Sequence, residues 1–199
     1  MRYEIKPLGC DPGKLKGLSE KLIVSHYENN YVGAVKRLNA IAEQLAALDM
    51  LTAPGFVLNG LKREELIATN SMTLHELYFE SLGPDSDEPG PSLSASLARD
   101  FGSVGRWRAE FTAMGKALGG GSGWVLLSCS RRDRKLVSQW AADHAHVLAG
   151  AAPILALDMY EHSYHMDYGA KAAAYVDAFM QNIDWPRVSV RFEQVHGSS

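Results

Sequence analysis

The stretch Pro153-Ile-Leu-Ala-Leu-Asp-Met-Tyr-Glu-His-Ser-Tyr-His165 decides the fold. Residues 154–157 form an apolar run that reads as a buried strand, and it ends on a carboxylate, Asp158, with Glu161 and His162 just beyond. A buried carboxylate and imidazole at the end of a core strand cost free energy unless something compensates them. A metal ion does so by binding both in their deprotonated forms, and a hydrogen-bonded Asp/His pair is the structural alternative.

Working outward, 124–129 and 136–141 read as two further strands, joined by a charged turn that carries Arg131, Arg132, Arg134 and Lys135. With 153–159 they make a three-stranded antiparallel sheet. Helices are expected over 92–101 and 105–118, the second with Trp107, Phe111 and Met114 at helical spacing, and the glycines at 119–121 end it. After the sheet, one helix over about 161–182 buries Ala172, Tyr175, Val176 and Phe179 and stops near Trp185 and Pro186.

The N-terminal half has a different texture. Pro7, Gly9, Pro12 and Gly13 predict an extended arm over 1–14, and Ser19 is placed to cap a helix. Leu22, Ile23, His26 and Asn30 share one helical face, Gly33 marks a bend, and a second run continues through Val35, Leu38, Ile41, Leu45 and Leu48. Residues 52–60 are expected as a loop, and 61–82 as a long helix grouping Leu74, His75, Tyr78 and Phe79. The fold class is therefore α+β: an N-terminal long-helix hairpin domain over 1–83, a Pro/Gly-rich acidic linker over 84–91, and a C-terminal α/β domain over 92–199.

With 199 residues, 46% of them hydrophobic, the chain can bury a sizeable core, and a net charge of −3 gives no basic footprint for nucleic acid. Cys10 and Cys129 stand far apart in no metal-like spacing, which fits free thiols in a reducing compartment. The first residues lack the apolar core of a signal peptide and no run of 18 apolar residues exists, so the expectation is a cytoplasmic protein with no membrane partner.

Pairing Asp158 and His162 with histidines on the earlier helices gives a candidate metal set of His26, His75, Asp158 and His162. Three imidazoles and a carboxylate suit a first-row transition metal, whereas calcium or magnesium would call for oxygen donors. Spacing leaves His144, His146, His165 and His196 equally available.

The chain resembles the iron/manganese superoxide dismutase family from about residue 18 to 192. The resemblance is carried by His26, by Leu74-His75 followed by Tyr78 and Phe79, by Arg99-Asp-Phe-Gly-Ser-Val104 with Ala109-Glu-Phe111, by Gly121-Ser-Gly-Trp124, by Asp158-x-x-Glu-His162 and by Asn182-Ile-Asp-Trp185. It implies that His26, His75, Asp158 and His162 hold one iron or manganese ion per subunit, and that the reaction turns two superoxide anions and two protons into dioxygen and hydrogen peroxide. It also implies a homodimer or tetramer in which Glu161 bridges to a metal-binding His of the neighbouring subunit. Two other classes remain open: a structural or assembly relative that kept only the fold, and an oxidoreductase of altered specificity.

The chain departs from the family where the substrate cavity would be. Asn30 and Ala34 stand where members usually carry a His and a Tyr, on one helical face with His26, and nearby Tyr27 and Tyr31 project elsewhere. His165 takes the place of a Tyr that usually reaches across to the neighbouring subunit, while Tyr160, Phe79 and Leu126 replace tryptophans. Ser71 is too short for the Gln that some members use beside the metal, so His144 is expected in that role ahead of His146. The candidate catalytic residues are thus His144, Asn30, His165 and Tyr164.

Overall fold

A computed structural model of the chain describes residues 2–84 and 88–197. Ser19 opens the helical part, its hydroxyl accepting from the Leu22 amide at the start of α1 (Glu20–His26). One π-helical turn, Tyr27–Tyr31, carries the chain into α2 (Val32–Ala47). The irregularity expected at Gly33 falls on this wider turn, and Gly33 itself continues the helix. The next helix starts earlier than its glycines suggest: α3 spans Gly55–Glu80, with Pro54 fixing the backbone immediately before it, so most of the expected loop over 52–60 is helical. The α2 and α3 helices pack along each other as the expected hairpin.

Of the expected linker over 84–91, residues 85–87 lie outside the described residues. Just before it, Leu82 bridges to Ile183 and the Gly83 amide donates to the Asn182 carbonyl. The Asn182 side chain then accepts from the Lys16 amide at 2.8 Å and donates to the Lys16 carbonyl at 2.7 Å, tying the N-terminal arm to the C-terminal half.

Two helices, α4 (Pro91–Phe101) and α5 (Val104–Ala117), lead to the sheet. Its strands are β1 (Trp124–Ser130), β2 (Leu136–Ala141) and β3 (Ala151–Asp158), antiparallel in the order β2-β1-β3. β1, in the middle, is buried from Trp124 to Cys129, and its register sets Trp124 opposite Asp158.

The single helix expected over 161–182 is broken. A 3-10 turn, Glu161–Ser163, is followed by the short α6 (His165–Tyr168), and the chain leaves helical geometry at Gly169, whose φ of 54° and ψ of −128° suit a residue without a side chain, before α7 (Ala172–Gln181). A further helix that the sequence reading stopped short of, α8 (Trp185–Gly197), closes the chain. Pro186 sits in its first turn, where the missing N–H has no partner to lose, so it starts the helix it was expected to prevent. Asp184 caps it by accepting from the Arg187 amide at 3.1 Å, and Trp185, Val188 and Phe192 are buried beneath it. No helix among the described residues is long and apolar enough to cross a membrane.

Candidate metal centre

β3 delivers Asp158 to the edge of the core, fully buried. The next residues fold back on it: the Tyr160 amide donates to Asp158 Oδ1 at 2.8 Å, and the Ser163 hydroxyl, 2.9 Å from the Asp158 carbonyl and 2.6 Å from that of Tyr160, pins the turn. This turn returns His162 so that its Nε2 lies 3.1 Å from Asp158 Oδ2. From the helical half, α1 brings His26 Nε2 to 3.1 Å and α3 brings His75 Nε2 to 3.5 Å of the same oxygen. Four potential donor atoms, one from each of His26, His75, Asp158 and His162, lie within 4.8 Å of one another.

A structural hydrogen-bonded pair does not account for this cluster. One carboxylate oxygen is crowded by three imidazoles, and neither His26 Nε2 nor His75 Nε2 makes a well-formed hydrogen bond among the described residues. Leaving such atoms buried and unpaired costs about 1–3 kcal/mol each. His75 Nδ1 is 2.7 Å from the Ser71 carbonyl, which can only accept, so the proton sits on Nδ1 and the Nε2 lone pair faces the cluster. His26 Nδ1 has no protein partner among the described residues.

The electrostatics select the same protonation state. Burial lowers the pKa of His26, and takes that of His75 down to about 3, so both imidazoles are neutral. Burial opposes ionisation of Asp158, but other groups, led by the hydrogen-bonded His162, outweigh it and hold the carboxyl well below the usual range. Two neutral imidazoles and an ionised carboxylate, with His162 as a third nitrogen donor, make a mixed nitrogen and oxygen set that fits iron or manganese better than an oxygen-seeking cation.

An aromatic wall surrounds the cluster. Tyr160 stacks on His162 at 5.3 Å on one side and on His144 at 4.8 Å on the other, Trp124 stands edge-on to His75 at 5.2 Å, and Tyr78 and Phe79 pack against His26. The Tyr175 hydroxyl donates to the Asp158 carbonyl at 2.8 Å. Trp124 Nε1–H donates to His144 Nδ1 at 3.0 Å, which leaves the His144 proton on Nε2, and Asn70 on α3 holds the His144 loop by donating to its carbonyl at 2.6 Å.

A cavity of about 220 Å³ opens onto the cluster between α2 and α3. His75 and His162 form its inner end, His144 and Ser71 flank them, and Asn30 of the π-helical turn lines it with Ala34 and Arg37 of α2. His146 is turned away, exposed and paired with Asp143 at 2.9 Å. His165 and Glu161 are exposed and do not line the cavity, and Tyr164 is buried with its ring against Tyr175 at 5.3 Å. Tyr27 and Tyr31 face the N-terminal arm, where Tyr27 donates to the Lys6 carbonyl and Tyr31 to Glu76. The sequence reading missed Arg37 and Asn70, although continuing the stripe of residues 26, 30 and 34 by three more positions reaches Arg37. A cleft of about 470 Å³ beside α8 is lined by Arg187 and Arg191, which pair with Asp184 and Glu80, and among the described residues it brings no metal-binding cluster together.

The fold brings four potential metal-binding donor atoms together where a helical hairpin meets a small antiparallel sheet. The family model for iron/manganese superoxide dismutases, C-terminal domain, matches residues 89–191. Over 192 residues the chain is 75% identical to an iron superoxide dismutase of Cupriavidus metallidurans, covering 96% of this chain and 97% of that one. It is 36% identical over 195 residues to a manganese superoxide dismutase of Halobacterium salinarum, covering 96% of each, and 34% identical over 190 residues to an iron superoxide dismutase of Aquifex aeolicus, covering 92% of this chain and 88% of that one. The chain belongs to the iron/manganese superoxide dismutase family.

Proposed function

We propose that this protein disproportionates superoxide at a single iron or manganese ion held by His26, His75, Asp158 and His162. The observation that carries the assignment is the convergence of three imidazoles and one carboxylate, with ring nitrogens of His26 and His75 left without hydrogen bonds among the described residues, at the end of a cavity. The bound ion supplies one-electron exchange, by which one superoxide is oxidised to dioxygen and a second is reduced and leaves with two protons as hydrogen peroxide. Iron is the metal we favour, on the 75% identity to a protein named for iron.

The chain's own residues do the rest. The Ser71 carbonyl fixes the tautomer of His75, and the Tyr160 amide, taking up Asp158 Oδ1, leaves Oδ2 turned to the centre. Tyr78, Phe79, Trp124 and Tyr160 keep bulk water from the cluster on all sides but that of the cavity, where His162 remains 27% exposed. His144, with Trp124 donating to Nδ1, offers its Nε2–H as a donor at the cavity wall. Asn30 adds an amide that binds but does not titrate, and Ala34 offers no hydroxyl to the cavity.

The working form in this reading is a homodimer. Glu161, exposed beside His162, reaches the partner subunit's His162, and His165 and the turn around it belong to the same face. The free cysteines Cys10 and Cys129 agree with a cytoplasmic location. Loaded with iron or manganese, the protein is expected to sediment as a dimer and to consume superoxide catalytically, while the metal-free protein does not. A loaded but inactive protein would refute the activity, and a monomer would remove Glu161 from the account.

A further inference from the structure

The substrate of this reaction is an anion, and the chain that must attract it carries a net charge of −3. Field lines from a charged side chain at a cleft mouth are focused by the low-dielectric walls, so one well-placed cation offsets an unfavourable overall charge. The cavity over the metal cluster has such a cation and no carboxylate in its lining. We propose that Arg37 draws superoxide into the cavity, an inference that rests on superoxide being the substrate.

The local sequence makes room for this. Side chains on a helix lean back toward its N-terminus, so Arg37 extends over Gly33 and Ala34, two small residues of the lining. A Cβ added at Gly33 would meet nothing within 4 Å. The Arg37 guanidinium is held across the hairpin by Glu64 of α3, which would cancel its charge if the pair stood alone. It does not: the other oxygen of Glu64 is 3.2 Å from Arg63 Nη1, so two guanidinium groups share one carboxylate and the trio carries a net charge of +1. The Arg37 side chain is 57% exposed, and its field therefore reaches the solvent from which the anion comes.

The test uses metal-loaded protein and compares the parent with Arg37→Gln and Arg37→Lys. At low ionic strength Arg37→Gln should lower kcat/KM for superoxide by about tenfold, the lower end of what steering contributes, with metal content and kcat unchanged. The deficit should fade as salt shortens the screening length to a few ångströms at about 1 M, and Arg37→Lys should keep most of the parent rate. Azide, as a small monovalent anion, should bind the Arg37→Gln protein several-fold more weakly at low salt. Equal rates, equal salt dependence and equal azide affinity in parent and Arg37→Gln would overturn the inference, as would a Lys variant no better than the Gln one. An inactive loaded parent would instead refute the activity on which the inference rests.

Discussion

Asp158 is the residue through which the site is assembled. Its Oδ1 is taken by the Tyr160 amide, its carbonyl accepts from Ser163 and Tyr175, and its Oδ2 faces three imidazoles, so each of its oxygens is committed to positioning or to the cluster. The histidines around it have separable roles in this account. On the proposed function His75 would supply a donor atom, whereas His144, which accepts from Trp124, would act from the cavity wall. His75→Ala is accordingly expected to weaken metal binding by more than about 100-fold, the upper end of the loss that follows removal of a mere supporting partner. His144→Ala should keep its metal and shift the reduction potential of the loaded protein. Metal analysis with redox titration checks both; a His75→Ala protein still fully loaded, or a His144→Ala protein with an unmoved potential, would contradict these roles.

The elements that carry these residues depend on close approaches that only certain residues permit. Gly123 has a φ of 131°, and a Cβ there would fall 2.1 Å from the Ala141 carbonyl oxygen, while its own carbonyl accepts from the Met159 amide. Gly123→Ala should therefore destabilise the fold by about 2 kcal/mol or more, read from denaturant unfolding, and an unchanged midpoint would contradict it. The three strands were legible because their apolar runs are short, continuous and bounded by turn residues. α8 was not, since a proline after Trp185 was read as a stop although a helix accepts proline in its first turn. The π turn at Tyr27–Tyr31 leaves no mark in the sequence, because every residue in it is compatible with an ordinary helix. Asp158 and His162 were legible as a local pair, four residues apart at a strand end. Their meeting with His26 and His75 depends on how the hairpin packs on the sheet, which no local pattern encodes, and there the family resemblance did the work. Periodicity could not separate His144 from His146; the Trp124 and Asn70 hydrogen bonds that turn His144 inward are long-range.

At the scale of the whole molecule, the candidate metal cluster lies where the two halves of the chain meet. His26 and His75 come from the helical hairpin, Asp158 and His162 from the sheet and the turn after it, and the cavity runs between α2 and α3 down to that junction. The halves are also tied at a distance by Asn182 to Lys16 and by the bridge of Leu82 to Ile183, so the two pairs of donors are brought together by packing that does not itself involve the cluster. A site preorganised in this way requires little movement when an ion binds. The measurement that tests this most directly is anomalous scattering from crystals of the metal-loaded protein, collected on either side of the absorption edge of the bound metal. One peak per chain is predicted, within bonding distance of His26 Nε2, His75 Nε2, Asp158 Oδ2 and His162 Nε2. A peak at any other group of side chains, or a loaded crystal with none at this cluster, would contradict the account.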